Sequence, residues 1–131
     1  MADTQRPLSP HLQVYSKQVQ MMSSITHRAT GIALAVGSLV VVCGLLHLAA
    51  GEDSFNHFKG VIGSPIGMVL LFGWSWSLFY HLCNGIRHLV QDAGLGYEIP
   101  QFVRSSWSSA IVSIVLTILA WVYVLLAGGA A

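Results

Sequence analysis

Charge is what this 131-residue chain has least of: six Lys or Arg and five Asp or Glu, 8% of its residues. A soluble domain of this length normally devotes about a quarter of its residues to charge, so a water-facing globule is excluded. The formal net charge of +1 gives no argument for nucleic acid. Cysteine is nearly missing too. Cys43 and Cys83 both lie in apolar runs, and no C-x-x-C-H motif surrounds either. That excludes a covalent c-type haem site and leaves two cysteines expected to be buried packing residues. The first 24 residues are polar, include Pro7 and Pro10, and contain neither a short apolar segment nor an arginine-rich amphipathic one. Neither a secretory signal nor a transit peptide is read there, so the first apolar run is expected to double as the insertion signal.

What is abundant is apolar length. Hydrophobic residues make up 54% of the chain, and Ala29–Gly51, Gly60–Ile86 and Ser105–Ala131 contain no Asp, Glu, Lys or Arg. A helix crosses a bilayer with about 20 such residues. The expectation is an all-α integral membrane protein, one domain over residues 1–131. Its tail covers 1–23, and its transmembrane helices run from about 24–50, 64–90 and 107–127. Glu52–Lys59 reads as a short polar loop and Gly94–Pro100 as a second, with Pro100 stopping any continuing helix. The third span, Ile-, Val-, Leu- and Ala-rich, reads as lipid-facing packing without chemistry. In the tail and its continuation, Leu12, Tyr15, Val19 and Met22 recur at helical spacing, suiting either a short interfacial helix or a strip that docks on a soluble partner.

Three helices cannot by themselves enclose a large cofactor. Gly31, Ala35, Gly37, Ser38, Ser75 and Asn84 are small or polar residues that need partners inside a membrane, so a second membrane-embedded subunit is expected. Basic residues divide unevenly. Arg6, Lys17, Arg28, Arg87 and Arg104 fall on one side and only Lys59 on the other. The positive-inside rule then puts the N-terminus in the cytoplasm and the C-terminus in the periplasm.

Two polar clusters stand at the cytoplasmic boundary. His81, Gly85 and His88 are spaced i, i+4 and i+7, one stripe of a helix. At 1.5 Å per residue, His81 lies roughly 16 Å below Asp92, near mid-depth of a ~30 Å hydrocarbon core, with His88 roughly 10 Å nearer the water. Such a stripe suits an edge-up haem: a neutral imidazole for the iron, a glycine that leaves room for the macrocycle, and a second histidine near the propionates. A lone intramembrane histidine is more commonly a hydrogen-bonding bridge between helices. The stripe with an arginine beside it favours a cofactor, because polar groups at that depth are costly. Ser24, His27 and Arg28 form the second cluster, three polar groups converging on one helix face; the bland alternative is a capping serine followed by a snorkelling arginine.

These residues carry a resemblance. Arg6-Pro7-Leu8-Ser9-Pro10-His11, Ser24-Ile25-Thr26-His27-Arg28-Ala29-Thr30-Gly31, and His81-x-x-x-Gly85-Ile86-Arg87-His88 with Asp92 and Gly94 together resemble the cytochrome b membrane-anchor subunit of succinate dehydrogenase. The likeness spans the whole chain; one departure is Gln91, where such anchors carry a bulky apolar or aromatic residue. The resemblance implies that His81 is an axial ligand of haem b, the other ligand coming from a second membrane subunit. It implies that His27 and His88, with Arg28 or Arg87, pair with the propionates, and that Ser24 and Arg28 help form a ubiquinone site shared with the iron–sulfur subunit. Asp92 is a weaker candidate for proton supply, with a solvent-facing helix end as its alternative. Succinate oxidation itself would belong to a flavoprotein subunit, with electrons reaching quinone through iron–sulfur clusters, so this chain would have no catalysis of its own. The implied location is a bacterial inner membrane, ahead of a mitochondrial one. Two other readings stay open: a quinol:fumarate reductase anchor, and a structural anchor without a cofactor.

Overall fold

The computed structural model describes residues 18–128. Four helices follow in order: α1 (Val19–Ala50), α2 (Glu52–Ile62), α3 (Pro65–Asp92) and α4 (Ile99–Gly128). Of these, α1, α3 and α4 are apolar enough to cross a bilayer, at 32, 28 and 30 residues. At 1.5 Å per residue they measure about 48, 42 and 45 Å, so each outruns a ~30 Å hydrocarbon core. The chain is an all-α integral membrane protein with three candidate spans.

The helix ends are written locally. α1 runs unbroken until Gly51, whose φ of 118° only glycine adopts easily. α3 starts with Ser64, whose hydroxyl accepts from the amide of Gly67, followed by Pro65 in the first turn. Its far end closes with Gly94 at φ 84°. There the Leu95 amide donates to the Val90 carbonyl and the Gly94 amide to the Gln91 carbonyl, the paired bonds of a Schellman stop.

Inside the bundle the usual order of burial is inverted. Tyr80 is the one buried hydrophobic side chain among the described residues, whereas Ser23, Thr30, Ser77, Asn84, Arg87 and Gln91 are buried polar ones. Leu, Ile and Val cover the outside instead. Lipid solvates apolar side chains as well as other side chains do, so nothing drives them inward; small and hydrogen-bonding residues let helices approach. α3 lies centrally, packed on α1 along one side and most extensively on α4 along the other.

Several expectations change. The Glu52–Lys59 loop is the helix α2: Phe55, Phe58 and Ile62 recur at helical spacing, Glu52 and Asp53 sit at its positive end and Lys59 near its negative end. Phe58 lies against Gly44, where a Cβ would come within 2.9 Å of its ring. Pro100 stops no helix. It occupies the first turn of α4, where a missing amide hydrogen costs nothing. The third span therefore begins well before 107, and it is not featureless. Ser106, Ser109, Ser113 and Thr117 form a buried ladder whose hydroxyls bond carbonyls three or four residues back. Cys43 is exposed on α1, not buried, because α3 and α4 meet other faces of that helix; Cys83 is half-buried. Val19 and Met22 are the first turn of α1, continuous with the span; Leu12, Tyr15 and the rest of residues 1–17 lie outside the described part.

Candidate functional site

The two clusters meet where α1 crosses α3. The rings of His27 and His81 stack face to face, centroids 3.9 Å apart and planes 12° from parallel. His88 approaches the same His27 ring at 5.1 Å, tilted by 51°. Glycines make the approach possible. A Cβ on Gly31 would stand 3.0 Å from Cε1 of His81, and one on Gly85 would lie 3.7 Å from Cε1 of His27.

Partner chemistry decides which nitrogen of His81 carries hydrogen. Nδ1 lies 3.1 Å from the backbone carbonyl oxygen of His27, and a carbonyl can only accept. Thr30 Oγ1 is 3.4 Å away, but its own hydrogen already goes to the carbonyls of Thr26 and His27. Nδ1 is therefore the protonated atom, and Nε2 keeps an unshared lone pair in the plane of the ring. Stacking by His27 covers the ring face and leaves that in-plane lone pair clear. This is the tautomer of an imidazole metal ligand held from behind by a carbonyl.

A second network begins one turn further along α3. Asn84, 0% exposed, accepts at Oδ1 from Ser23 Oγ at 2.9 Å and from Nη1 of Arg87 at 3.0 Å. Arginine has no acceptor, which orients the amide: its Nδ2 faces Nε2 of His88 at 3.3 Å and donates to it. His88 is thus protonated at Nδ1. Tyr80 donates to Ser23 at its carbonyl or hydroxyl oxygen, 3.3 and 3.4 Å away. Arg87 also donates from Nε to Ser105 at 3.1 Å and lies over the Phe102 ring at 4.5 Å. A buried cation is thereby held by neutral oxygens and a π face. Its Nη2 and the Nδ1 of His27 remain buried without a partner among the described residues.

The structure thus gathers His27, His81 and His88 and ties Arg87 to His88 through Asn84. It does not bring Arg87 onto the histidine stripe; the guanidinium turns toward α4. Ser24 is half-buried, while Arg28 and Asp92 are exposed, and none of the three side chains has a hydrogen-bond partner among the described residues. Sequence reasoning passed over Ser23 in favour of Ser24, and treated Asn84 only as a polar residue in need of a neighbour. An amide between two histidines, three residues after one and four before the other, was the signal. Among the described residues no group of three or more His, Cys, Asp or Glu is disposed around a bare metal ion. What the cluster offers is a single imidazole lone pair flanked by two further histidines with hydrogen-bonding capacity, a donor set that fits one axial position of a tetrapyrrole iron and the carboxylates at its edge.

Comparison with known proteins identifies the family. The model of the succinate dehydrogenase/fumarate reductase transmembrane subunit family matches residues 2–120. The chain is 41% identical over 122 residues to the succinate dehydrogenase cytochrome b556 subunit of Paracoccus denitrificans, covering 91% of this chain and 94% of that one. It is 42% identical over 117 residues to the subunit of that name in Rickettsia bellii, covering 89% and 91%. To the mitochondrial succinate dehydrogenase cytochrome b560 subunit of Sus scrofa it is 41% identical over 118 residues, 87% of this chain and 66% of that one. With its three apolar spans and its paired histidine clusters, the chain belongs to the succinate dehydrogenase/fumarate reductase transmembrane subunit family.

Proposed function

We propose that this chain anchors a succinate dehydrogenase in a bacterial inner membrane, holds one side of a haem b and contributes to its ubiquinone-reducing site. The observation that carries the reading is the His81 tautomer, with Nδ1–H donated to the His27 carbonyl and Nε2 left free. In this reading His81 Nε2 would hold the haem iron from this chain, and a second membrane subunit would supply a further ligand. Protonated Nδ1 of His88 would donate to a haem propionate. His27, whose Nδ1 has no partner among the described residues, would provide a second contact. Of the two arginines proposed for the propionates, Arg28 is the one whose side chain is unengaged, while Arg87 is held by Asn84, Ser105 and Phe102. When bound, the haem would supply a one-electron redox centre.

Ser24 and Arg28 occupy one face of α1, one turn apart. There the hydroxyl donates to a quinone carbonyl oxygen, and the guanidinium offsets the negative charge that builds as the ring is reduced. Electrons arrive from an iron–sulfur subunit on the cytoplasmic side, where a flavoprotein subunit oxidises succinate. The decisive experiment is a reduced-minus-oxidised absorption spectrum of the purified complex. The native complex gives a b-type α band, and His81→Ala loses or shifts it while the subunits still co-purify. An unchanged band in that variant removes His81 from the coordination sphere.

A further inference from the structure

We propose that the cleft between α3 and α4, at the end of the bundle that carries His88, binds the phosphate of an anionic phospholipid. The cleft encloses about 450 Å³, room for a phosphoglycerol group. Its polar side is formed by Arg87, Gln91, Arg104, Gln101 and Ser108. Two arginines therefore line one cavity, and among the described residues no Asp or Glu does. Asp92, next to Gln91 in the chain, is exposed and outside the lining, and Glu98 accepts from Gln101.

Two of these side chains are conspicuously under-used. Arg87 and Gln91 are each only 7% exposed, and Nη2 of the first and Nε2 of the second have no acceptor among the described residues. Donors buried without an acceptor cost free energy, and a buried cation without an anion costs more. Arg104, on the first turns of α4, is exposed and has no side-chain partner among the described residues. An anion seated between α3 and α4 answers all three deficits at once.

The rest of the wall says which anion. Ile86, Val90 and Leu95 continue the cleft and are 54%, 45% and 62% exposed, so they merge with the lipid-facing surface. A free phosphate gains nothing from that apolar flank. A phospholipid buries its glycerol and upper acyl carbons there while its phosphate meets the arginines at membrane-surface depth, the arrangement of basic interhelical pockets that hold anionic headgroups. The proposal involves neither the haem nor the quinone.

The test uses the intact complex in neutral detergent, stripped of lipid and titrated separately with phosphatidylglycerol, phosphatidylcholine and inorganic phosphate, with bound lipid counted by native mass spectrometry. One phosphatidylglycerol per copy of this chain should be retained in preference to phosphatidylcholine. Arg104→Gln should weaken that retention about fivefold, the effect of one basic residue at an anionic surface, while Arg104→Lys largely preserves it and the haem spectrum stays native in both. Gln91→Leu should weaken it as well. Equal retention of the two lipids, indifference to Arg104→Gln, or displacement of the lipid by inorganic phosphate would each overturn the proposal.

Discussion

His81 on α3 donates its Nδ1 hydrogen to the carbonyl oxygen of His27 on α1, across 3.1 Å. The bond links the middle of one span to the first turns of another, and it uses a backbone acceptor that no substitution at position 27 removes. Replacing the His27 side chain therefore leaves the tautomer of His81 unchanged and takes away only the stacked ring. His27→Ala should retain the b-type α band, with lower haem retention on washing because a proposed propionate contact is gone. His81→Ala should lose the band altogether. Measuring haem per complex in both variants separates the two roles.

Gly31 controls how close the helices come at this point. A methyl group there would sit 3.0 Å from Cε1 of His81, inside ordinary contact distance, so the imidazole must shift by a few tenths of an ångström. Gly31→Ala should leave a complex that assembles and holds haem, with a displaced α band and a changed midpoint potential by redox titration. Gly31→Leu cannot be accommodated by so small a shift and should lose the band. Spectra of Gly31→Ala indistinguishable from native would mean that His81 is free to move.

Asn84 answers to three neighbours, and two substitutions separate its duties. Asn84→Leu strips Arg87 and Ser23 of their shared acceptor inside the bundle, a loss of about 1.5–3 kcal/mol for a hydrogen bond to a charged group. The complex should melt at lower temperature or fail to assemble. Asn84→Asp keeps the shape and gives Arg87 a carboxylate, but it no longer offers a hydrogen to His88. Stability should be held, while nitrogen-15 spectra of histidine-labelled complex should show one imidazole exchanging its protonated nitrogen. No change in those spectra would break the assignment of His88 as protonated at Nδ1.

Much of this arrangement could be read before any coordinates, and the reasons for the remainder are specific. Three charge-free runs predict three spans because lipid admits so few charged side chains, and the runs at 29–51, 60–86 and 105–131 lie largely within α1, α3 and α4. His27, His81 and His88 were legible as sparse polar groups at membrane depth. What periodicity conceals is rotation about a helix axis. Ser23 and Ser24 are neighbours in sequence, yet only Ser23 turns toward Asn84 and Tyr80. The ladder on α4 escaped notice because serine scores as neither apolar nor charged, although Ser106, Ser109, Ser113 and Thr117 keep helical spacing. Pro100 misled because proline both ends and begins helices, and only the preceding Schellman stop at Gly94 distinguishes the two uses.

That ladder yields a packing prediction. Ser113 is 0% exposed and Thr117 1% exposed, and both hydroxyls are satisfied within α4, so their importance lies in size. Ser113→Ala deletes a hydroxyl that serves only its own helix and should be close to neutral in thermal stability. Ser113→Leu drives three further carbons into the α3–α4 contact, an overpacking cost of about 1–3 kcal/mol, and should reduce assembly while His81 and His27 are untouched. Equal melting temperatures for the Leu and native complexes would show that α4 packs elsewhere.

The quinone reading rests on Ser24 and Arg28, whose side chains have no hydrogen-bond partner among the described residues. Because Ser24 is half-buried and Arg28 exposed, neither substitution should unfold the bundle, so a selective loss of quinone turnover reflects the site. Ser24→Ala removes one neutral hydrogen bond, about 1 kcal/mol or roughly fivefold in succinate:quinone turnover. Arg28→Leu removes a charged donor that acts where negative charge accumulates, and should cost about a hundredfold. Succinate oxidation coupled to an artificial acceptor that draws electrons upstream of the membrane should persist in both. The two activities falling together would indicate failed assembly in place of a damaged quinone site. A native rate in Arg28→Leu would move the site away from the start of α1, leaving Ser24 as surface and the histidine cluster on its own.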